Sequence, residues 1–322
     1  MSNKKNFALI GASGYIAPRH MKAIKDTGNE LVAALDPYDG IGIMDSNFPE
    51  ASFFTEFERF DRFVDKWHRN GNKKIEYIAI TTPNYLHDSH IRFALKSGAH
   101  AICEKPLVLN PHNIDQLKII EEETGKKVYN ILQLRLHDSI IALKEKISKE
   151  LEKNPNRIYD LDLTYLTSRG KWYFVSWKGD EAKSGGIASN IGVHFFDMLS
   201  WIFGEIQENI VHIKEADTNA GYMKLKNANV RWFLSVNYDY IPEDIKETGK
   251  RTYRSIRVDG EEFEFSEGFT DLHTKSYNDI LNGGGFGLDD AKNSIVIVSD
   301  IRKMNTVPLD EKAHPFCEKV LR

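Results

Sequence analysis

The chain has 322 residues, 41% hydrophobic and 28% charged, which suits a globular protein of two ordinary domains. The net charge of −4, with acids and bases mixed along the chain, excludes a general affinity for nucleic acid, and two cysteines are too few for a disulfide framework. No apolar run approaches the roughly 20 residues that cross a bilayer, and the N-terminus lacks the apolar region of a signal peptide, so we expect a cytoplasmic protein without nucleic-acid or membrane partners.

Strand and helix patterns alternate through the first part of the chain. Apolar strands are predicted at residues 7–10, 31–35, 77–80, 99–103 and 127–132. Helical spacing lies between them, near residues 21–25, 57–67, 88–96 and 114–123. This alternation predicts a parallel, doubly wound sheet of the Rossmann dinucleotide-binding type over residues 1–130.

The pattern changes after residue 130. A helix is predicted at 139–151, strands at 161–165, 230–236 and 253–258, and two more helices near 272–281 and 289–304. Long alternating strands without helices between them predict a mostly antiparallel open sheet. The predicted fold class is therefore α/β followed by α+β, with a second domain over residues 131–322.

The loop after the first strand has the features of a phosphate-binding turn. It reads Gly11-Ala12-Ser13-Gly14-Tyr15-Ile16 and opens a helix, whose N-terminus offers N–H groups and partial positive charge. The usual G-x-G-x-x-G pattern is imperfect, because Ala12 or Ser13 stands where a glycine is expected. Asp36 ends the second strand 22 residues after Gly14. An acid there accepts hydrogen bonds from the ribose of NAD and repels the extra phosphate of NADP. The alternative for Asp36 is a turn residue before Pro37. The predicted NAD contacts here are Gly11, Ser13, Gly14, Tyr15, Ile16 and Asp36.

Two further strand ends carry polar residues. Ligands of open parallel sheets lie at the carboxyl ends of the strands, so these residues are predicted to meet the cofactor. The Lys105 ammonium could stabilise a developing alkoxide there, although an isolated lysine is more often simply solvated. The predicted contacts are Thr82, Pro83, Asn84, His87, Glu104 and Lys105.

Cations and large aromatic residues are concentrated at residues 168–179. Arginine and lysine suit carboxylates and phosphates, and aromatic rings suit a sugar face or a nucleobase. The alternative is a patch at a subunit interface, and both interpretations hold if a site lies near an interface. The candidate substrate contacts are Arg169, Lys171, Trp172, Tyr173 and Lys178.

Together, these motifs resemble the glucose–fructose oxidoreductase, inositol dehydrogenase and rhizopine-catabolism (Gfo/Idh/MocA) family over nearly the whole chain. The strongest mark is Glu104-Lys105-Pro106, and residues 185–197 match the family's glycine pair and D-x-G-x-H-x-x-D pattern. The resemblance implies an N-terminal dinucleotide fold, a C-terminal substrate-binding and oligomerisation domain, and catalytic roles for Lys105, Asn190 and His194, the last two also touching substrate. Asn190 replaces the usual aspartate and cannot take a proton. The base role therefore falls on His194, since histidine has an unperturbed pKa of about 6.5.

Within the family, the opening loop and residues 168–179 are most similar to the branch of UDP-N-acetylglucosaminuronic acid 3-dehydrogenases. This resemblance implies NAD-dependent oxidation of the sugar's C3 hydroxyl to a ketone in lipopolysaccharide O-antigen biosynthesis, followed by an aminotransferase. It also implies NAD that some members hold tightly and reoxidise with 2-oxoglutarate, and assembly as a homotetramer or a dimer. No metal is expected, because the pairs His194–Asp197 and His87–His90 lack a third ligand nearby and hydride transfer needs none.

Other classes fit less well. A short-chain dehydrogenase requires a Tyr-x-x-x-Lys pair, and the one match, Tyr222 with Lys226, lies outside the dinucleotide domain. An acyl-phosphate reductase needs a nucleophilic cysteine, whereas Cys103 lies in an apolar strand and Cys317 near the chain end. A dehydrogenase of another sugar or polyol, and an NAD-binding regulator without turnover, stay open as alternatives.

Overall fold

The computed structural model describes residues 4–69, 74–263 and 271–320. The chain divides into two compact units. The first unit comprises Met1–Gln133 and Thr270–Lys292, and the second comprises Leu134–Phe269 and Asn293–Arg322. The first unit is therefore built from two separate stretches of sequence. Among the described residues, no helix is both long and apolar enough to span a membrane.

The first unit is built on a parallel sheet. Its strands are β1 (Asn6–Ile10), β2 (Glu30–Leu35), β3 (Ser52–Phe54), β4 (Tyr77–Ile80), β5 (His100–Cys103) and β6 (Val128–Asn130). Their order is β3-β2-β1-β4-β5-β6, and every neighbouring pair is parallel. The strand order reverses between β1 and β4, which is the point where open α/β sheets bind nucleotides. The predicted Rossmann sheet is confirmed.

The second unit contains a mixed sheet. Its strands are β7 (Tyr159–Thr167), β8 (Ile206–Lys214), β9 (Thr218–Leu225), β10 (Ala228–Ser235), β11 (Thr252–Val258) and β12 (Glu261–Glu262), in the order β12-β11-β7-β10-β9-β8. All neighbouring pairs are antiparallel except β7 with β10. The predicted, mostly antiparallel sheet is confirmed, with one parallel pair at its centre.

The helices follow the same division of the chain. They are α1 (Ala17–Asp26), α2 (Ile41–Asn47), α3 (Phe57–Arg69), α4 (His87–Lys96), α5 (Pro111–Thr124), α6 (Asp138–Lys153), α7 (Trp172–Val175), α8 (Glu181–Ser184), α9 (Val193–Phe203), α10 (Glu243–Glu247), α11 (Leu272–Leu281), α12 (Leu288–Lys303) and α13 (Cys317–Val320). In α1, a proline in the first turn has its φ already set for a helix. Ala17, Met21 and Ile24 repeat at i, i+4 and i+7, so α1 buries one apolar stripe.

The helix α11 differs from the predicted division at residue 130. The sequence assigns it to the second domain, whereas its contacts group it with the first unit. The physical reason is burial: Tyr277 and Ile280 belong to the same core as Phe7, Met21 and Ile24. The Tyr277 ring also stacks on Phe7, with centroids 5.8 Å apart. The chain therefore returns to complete the dinucleotide-type unit.

Candidate active site

The turn between β1 and α1 requires glycine at its first position. Gly11 has φ +96°, a conformation that L side chains rarely adopt. A Cβ there would lie 2.8 Å from backbone atoms of both Thr81 and Thr82, which immediately follow β4. The Gly11 N–H donates to the Leu35 carbonyl at 2.7 Å. The loop thus brings its backbone against the ends of both neighbouring strands, β2 and β4.

The Asp36 carboxylate joins this turn to the loop after β2. It is buried, and its two oxygens accept the backbone N–H groups of Ser13 and Tyr38, each at 2.9 Å. The Ser13 hydroxyl donates to the Tyr38 carbonyl at 3.1 Å and lies where a Cβ on Gly40 would fall. Each carboxylate oxygen has a second lone pair, so Asp36 can accept ribose hydroxyls as well. The turn role and the predicted NAD role are therefore compatible.

The residues after β4 are fixed by two histidines. The His87 ring is buried, with Nδ1 2.7 Å from the Pro106 carbonyl oxygen and Nε2 2.9 Å from that of Thr82. Burial lowers the pKa of His87, and burial lowers that of His90 to about 4. His90 meets the Thr82 hydroxyl at 3.0 Å through Nδ1. His87 thus ties the loop after β4 to the loop after β5. Asn84 is buried beside them, in a short 3₁₀ turn that follows Pro83.

Glu104, at the end of β5, lies in a buried hydrogen-bond network. Its side chain is 8% exposed, and one carboxylate oxygen, Oε1, accepts from His20 Nε2 at 3.0 Å and His273 Nε2 at 2.9 Å. Burial alone would raise the pKa of Glu104, but the hydrogen bonds from the two imidazoles outweigh it and hold that pKa well below the usual range. Lys105, the next residue, is half-buried.

His20, Glu104 and His273 could also be considered as metal ligands, because their donor atoms lie within 4.8 Å of one another. The hydrogen-bond geometry accounts for the same atoms without an ion, since each imidazole Nε2–H points at Glu104 Oε1. The pairs His87–His90 and His194–Asp197, which were rejected as metal ligands on sequence grounds, also contain residues with other partners. His87 faces carbonyl oxygens, and Asp197 binds an arginine.

In the second unit, a π-helical turn at Ala188–Gly192 presents the family's signature residues. Such turns are frequent at functional sites because they redirect side chains. Asn190 donates from Nδ2 to the Tyr173 hydroxyl at 2.8 Å. Burial raises the pKa of Tyr173. His194 follows in the first turn of α9 and is half-buried. Two of the predicted substrate contacts, Asn190 and Tyr173, are therefore neighbours.

A buried ion pair fixes α9 one turn beyond His194. Arg135 donates from Nε and from one terminal nitrogen to the two carboxylate oxygens of Asp197, at 2.9 and 2.8 Å. The two side chains are 6% and 2% exposed. This fork-to-fork geometry is the strongest form of an arginine–carboxylate contact.

The cationic segment lies partly beside a cavity and partly in solvent. Lys178 lines a cavity of about 300 Å³ in the second unit, together with the glycine pair Gly185 and Gly186. Burial lowers the pKa of Lys178, and the positive charge of Arg169 lowers it further. Trp172 is 79% exposed and Lys171 is exposed, so within this unit neither closes off a pocket.

Several residues of these networks were missed by sequence reasoning: His20, Arg135, His273 and Tyr277. His20 sits within the apolar stripe of α1, and a histidine in such a stripe is the signal that could have identified it. No local pattern marks Arg135 or His273, because their partners lie 62 and 169 residues away.

A Rossmann sheet with a glycine turn and a ribose-type acid at its switch point, joined to a mixed-sheet unit, defines a two-domain NAD-dependent oxidoreductase. Two family models agree with this class. The model for the oxidoreductase family, NAD-binding Rossmann fold, matches residues 5–131, and the model for its C-terminal alpha/beta domain matches residues 157–244. The chain belongs to the Gfo/Idh/MocA oxidoreductase family.

Solved structures resemble the chain over its length. The WlbA (WbpB) dehydrogenase of Thermus thermophilus, in complex with NAD and alpha-ketoglutarate, is 52% identical with a TM-score of 0.93, covering 97% of this chain and 99% of that one. Its complex with NAD and UDP-GlcNAcA matches at 51% identity, a TM-score of 0.92 and the same coverage. The WlbA dehydrogenase of Bordetella pertussis shares the fold at 20% identity and a TM-score of 0.75, covering 96% of this chain and 100% of that one.

Curated relatives are more distant. The scyllo-inositol 2-dehydrogenase (NADP+) of Bacillus subtilis is 24% identical over 61% of this chain and 54% of its own length. The glucose-6-phosphate 3-dehydrogenase of the same organism is 25% identical over 62% of this chain and 54% of its own. The chain thus spans about half the length of the curated relatives that it matches.

Proposed function

We propose that the protein oxidises the C3 hydroxyl of UDP-N-acetyl-D-glucosaminuronic acid to a ketone, with NAD as the oxidant. The observation that carries this proposal is the likeness, over 97% of the chain and at 51% identity, to a dehydrogenase solved with NAD and UDP-GlcNAcA. A relative at this level of identity shares the fold and much of the detailed packing. The residues below are assigned on that basis.

The first unit supplies the cofactor site in this proposal. The tight glycine turn at Gly11 and the N-terminus of α1 suit a pyrophosphate, and Asp36 suits the ribose hydroxyls. The residues assigned to this site are Gly11, Ser13, Gly14, Tyr15, Ile16, Asp36, Thr82, Pro83, Asn84, His87, Glu104 and Lys105. Bound NAD supplies the hydride acceptor.

His194 is assigned to the proton of the C3 hydroxyl, and Lys105 is assigned to its oxygen. The His194 imidazole takes the proton of the C3 hydroxyl, while the Lys105 ammonium donates a hydrogen bond to the oxygen as it becomes a carbonyl. The C3–H bond breaks with both electrons leaving as hydride, and the C–O double bond forms. Asn190 is assigned to hold a hydroxyl of the substrate. Its side-chain amide adds no charge, and its Nδ2 also donates to the Tyr173 hydroxyl.

Recognition of the substrate is assigned to the cationic segment. The proposed substrate carries a diphosphate and a carboxylate, which suit arginine and lysine. Arg169 and Lys178 are close enough for the arginine to depress the pKa of the lysine. A paired anion would relieve that repulsion. Lys171, Trp172 and Tyr173 complete the assigned set.

The wider setting follows from the same chemistry. A 3-keto sugar is the substrate that an aminotransferase needs, so we place this reaction before one, in the assembly of a lipopolysaccharide sugar. The relative's complex with alpha-ketoglutarate supports 2-oxoglutarate as the compound that reoxidises bound NADH. A cytoplasmic homotetramer or dimer fits the proposal.

The experiment mixes the purified protein with UDP-N-acetylglucosaminuronic acid and follows the sugar by mass spectrometry, with and without 2-oxoglutarate. The expected product is lighter by two hydrogens, and its formation continues beyond one turnover only with 2-oxoglutarate. An unchanged sugar on NAD-loaded protein would refute the substrate, and scyllo-inositol and glucose 6-phosphate would then be tested.

A further inference from the structure

Glu104 is assigned to the cofactor site, but the proposed reaction gives its carboxylate no chemical role, although both carboxylate oxygens accept hydrogen bonds. Oε1 accepts from two imidazoles, and Oε2 accepts from the Lys105 N–H at 3.2 Å. A carboxylate with donors on both oxygens is held ionised even when it is buried. The next residue is the lysine assigned to the reacting oxygen.

The protons of this network can be assigned. The Tyr277 hydroxyl lies 2.8 Å from His20 Nδ1, and an imidazole that donates from Nε2 must accept at Nδ1 when it is neutral. Burial lowers the pKa of His20, in agreement with a neutral ring. The hydroxyl of Tyr277 then donates to His20, and His20 donates to Glu104. In this arrangement the Glu104 carboxylate keeps its negative charge.

Three elements meet at this charge. His20 lies on α1, the helix that the phosphate turn opens, and Glu104 follows β5. His273 and Tyr277 are four residues apart and therefore share one face of α11. The His20 and His273 rings also touch edge to face, with centroids 5.1 Å apart. The returning helix thus contributes polar contacts as well as apolar packing to the cofactor unit.

We propose that His20 and His273 are positioning residues, which act through Glu104 to fix a negative charge at the carboxyl end of β5 and to hold the Lys105 backbone in place. This inference rests on the proposed NAD-dependent function. A fixed anion at the cofactor's reactive end favours the positively charged nicotinamide of NAD+ over the neutral ring of NADH. The network therefore tunes the oxidising strength of the bound cofactor.

The test measures dissociation constants for NAD+ and NADH separately, without sugar, so that it does not depend on the identity of the substrate. Glu104→Gln removes the charge, and His273→Leu removes a donor from it. Glu104→Gln is expected to raise the ratio of the NAD+ to the NADH dissociation constant about tenfold. His273→Leu is expected to raise it by a smaller factor, because the carboxylate keeps its charge but loses one donor. His273→Gln keeps an N–H near the position of Nε2 and should stay within about twofold of the wild type.

The double variant Glu104→Gln/His273→Leu separates action through Glu104 from an independent structural effect. Residues that act through one group are not additive, so the double variant should match Glu104→Gln alone. If the change in the double variant equalled the product of the changes in the two single variants, the proposal would be overturned. Tyr277→Phe keeps the core volume and is expected to shift the ratio in the same direction by a smaller factor. His112→Gln, at an exposed histidine of α5, is the matched control.

Two further outcomes would be decisive. A stoichiometric metal ion that is present in the wild type and lost in His273→Leu would show that these residues form a metal site rather than a hydrogen-bond network. That result would overturn the proposal. A wild-type protein that binds neither form of NAD would overturn both this inference and the proposed function. NAD binding without turnover of the UDP-sugar would refute only the substrate, because the ratio could still be measured.

Discussion

The Arg135–Asp197 pair offers a measurable test of how the second unit holds α9. Replacing Arg135 with methionine keeps most of the side-chain volume but leaves the Asp197 carboxylate buried, at 2% exposure, without its bidentate partner. Removing one member of a buried ion pair costs about 3–5 kcal/mol, because the remaining charge stays desolvated. We therefore expect Arg135→Met to be destabilised by about 4 kcal/mol.

The assay is urea unfolding followed by tryptophan fluorescence, since Trp201 lies 5.6 Å from the Arg135 guanidinium. The double variant Arg135→Met/Asp197→Leu removes both charges and should lose no more than about 2 kcal/mol. The control is Arg257→Met, whose partner Glu262 is exposed, and it should lose less than about 1 kcal/mol. If Arg135→Met were no less stable than this control, or if the double variant were worse than the single one, the reasoning about desolvation would be refuted.

Three further predictions concern the turn, the signature asparagine and a buried histidine. Gly11→Ala puts a Cβ 2.8 Å from backbone atoms and costs about 1–2 kcal/mol for the left-handed backbone alone. Calorimetric titration should show an NAD affinity at least about tenfold weaker than that of the wild type. An unchanged affinity would mean that this turn does not belong to the NAD site. Asn190→Asp adds a negative charge facing Tyr173, and this charge would repel the anionic substrate. Steady-state kinetics should therefore show a KM for UDP-N-acetylglucosaminuronic acid about tenfold higher, with little change in kcat. An unchanged KM would mean that the charge does not face the substrate. Burial lowers the pKa of His314 to about 4, whereas the unfolded chain takes up the proton near pH 6.5, so stability falls as the pH drops from about 6.5 towards 4. His314 contributes about 2 kcal/mol of the loss by pH 5, so in urea unfolding His314→Gln should lose about 2 kcal/mol less than the wild type between pH 6.5 and 5. Equal losses in the two proteins would assign the effect to other groups.

Five of the six strands of the first sheet could be predicted because each is short, apolar and followed by a helical pattern, whereas the three-residue strand β3 was not predicted. The strands β8 and β9 escaped prediction for a physical reason. Their pairing shifts register twice, between Ile206 and Glu208 and between Val211 and Ile213. Each shift interrupts the strict alternation by which a half-buried strand is recognised. The parallel pairing of β7 with β10 depends on a long crossover, which no local pattern reveals.

The candidate site likewise contains some residues that could be predicted from the sequence and others that could not. The glycine turn, Asp36 and the Glu104-Lys105 motif are visible because they lie at predicted strand ends, where function concentrates in such sheets. The partners of Glu104 are not visible, since His20 and His273 reach it from 84 and 169 residues away. The helix of residues 272–281 was predicted at the right place, but only tertiary packing decides which core it joins.

The discontinuous first unit has a consequence during synthesis. When residue 133 leaves the ribosome, β1 to β6 and α1 to α5 are present, but the face of α1 that receives α11 is still uncovered. At about 5–20 residues per second, the intervening residues 134–269 take roughly 7–27 s to appear. For that time Phe7, Met21 and Ile24 lack Tyr277 and Ile280, the two α11 residues of their core cluster. A chain stopped before residue 272 would expose this apolar face permanently, so premature termination should yield a target for chaperones and proteases rather than an autonomous NAD-binding fragment.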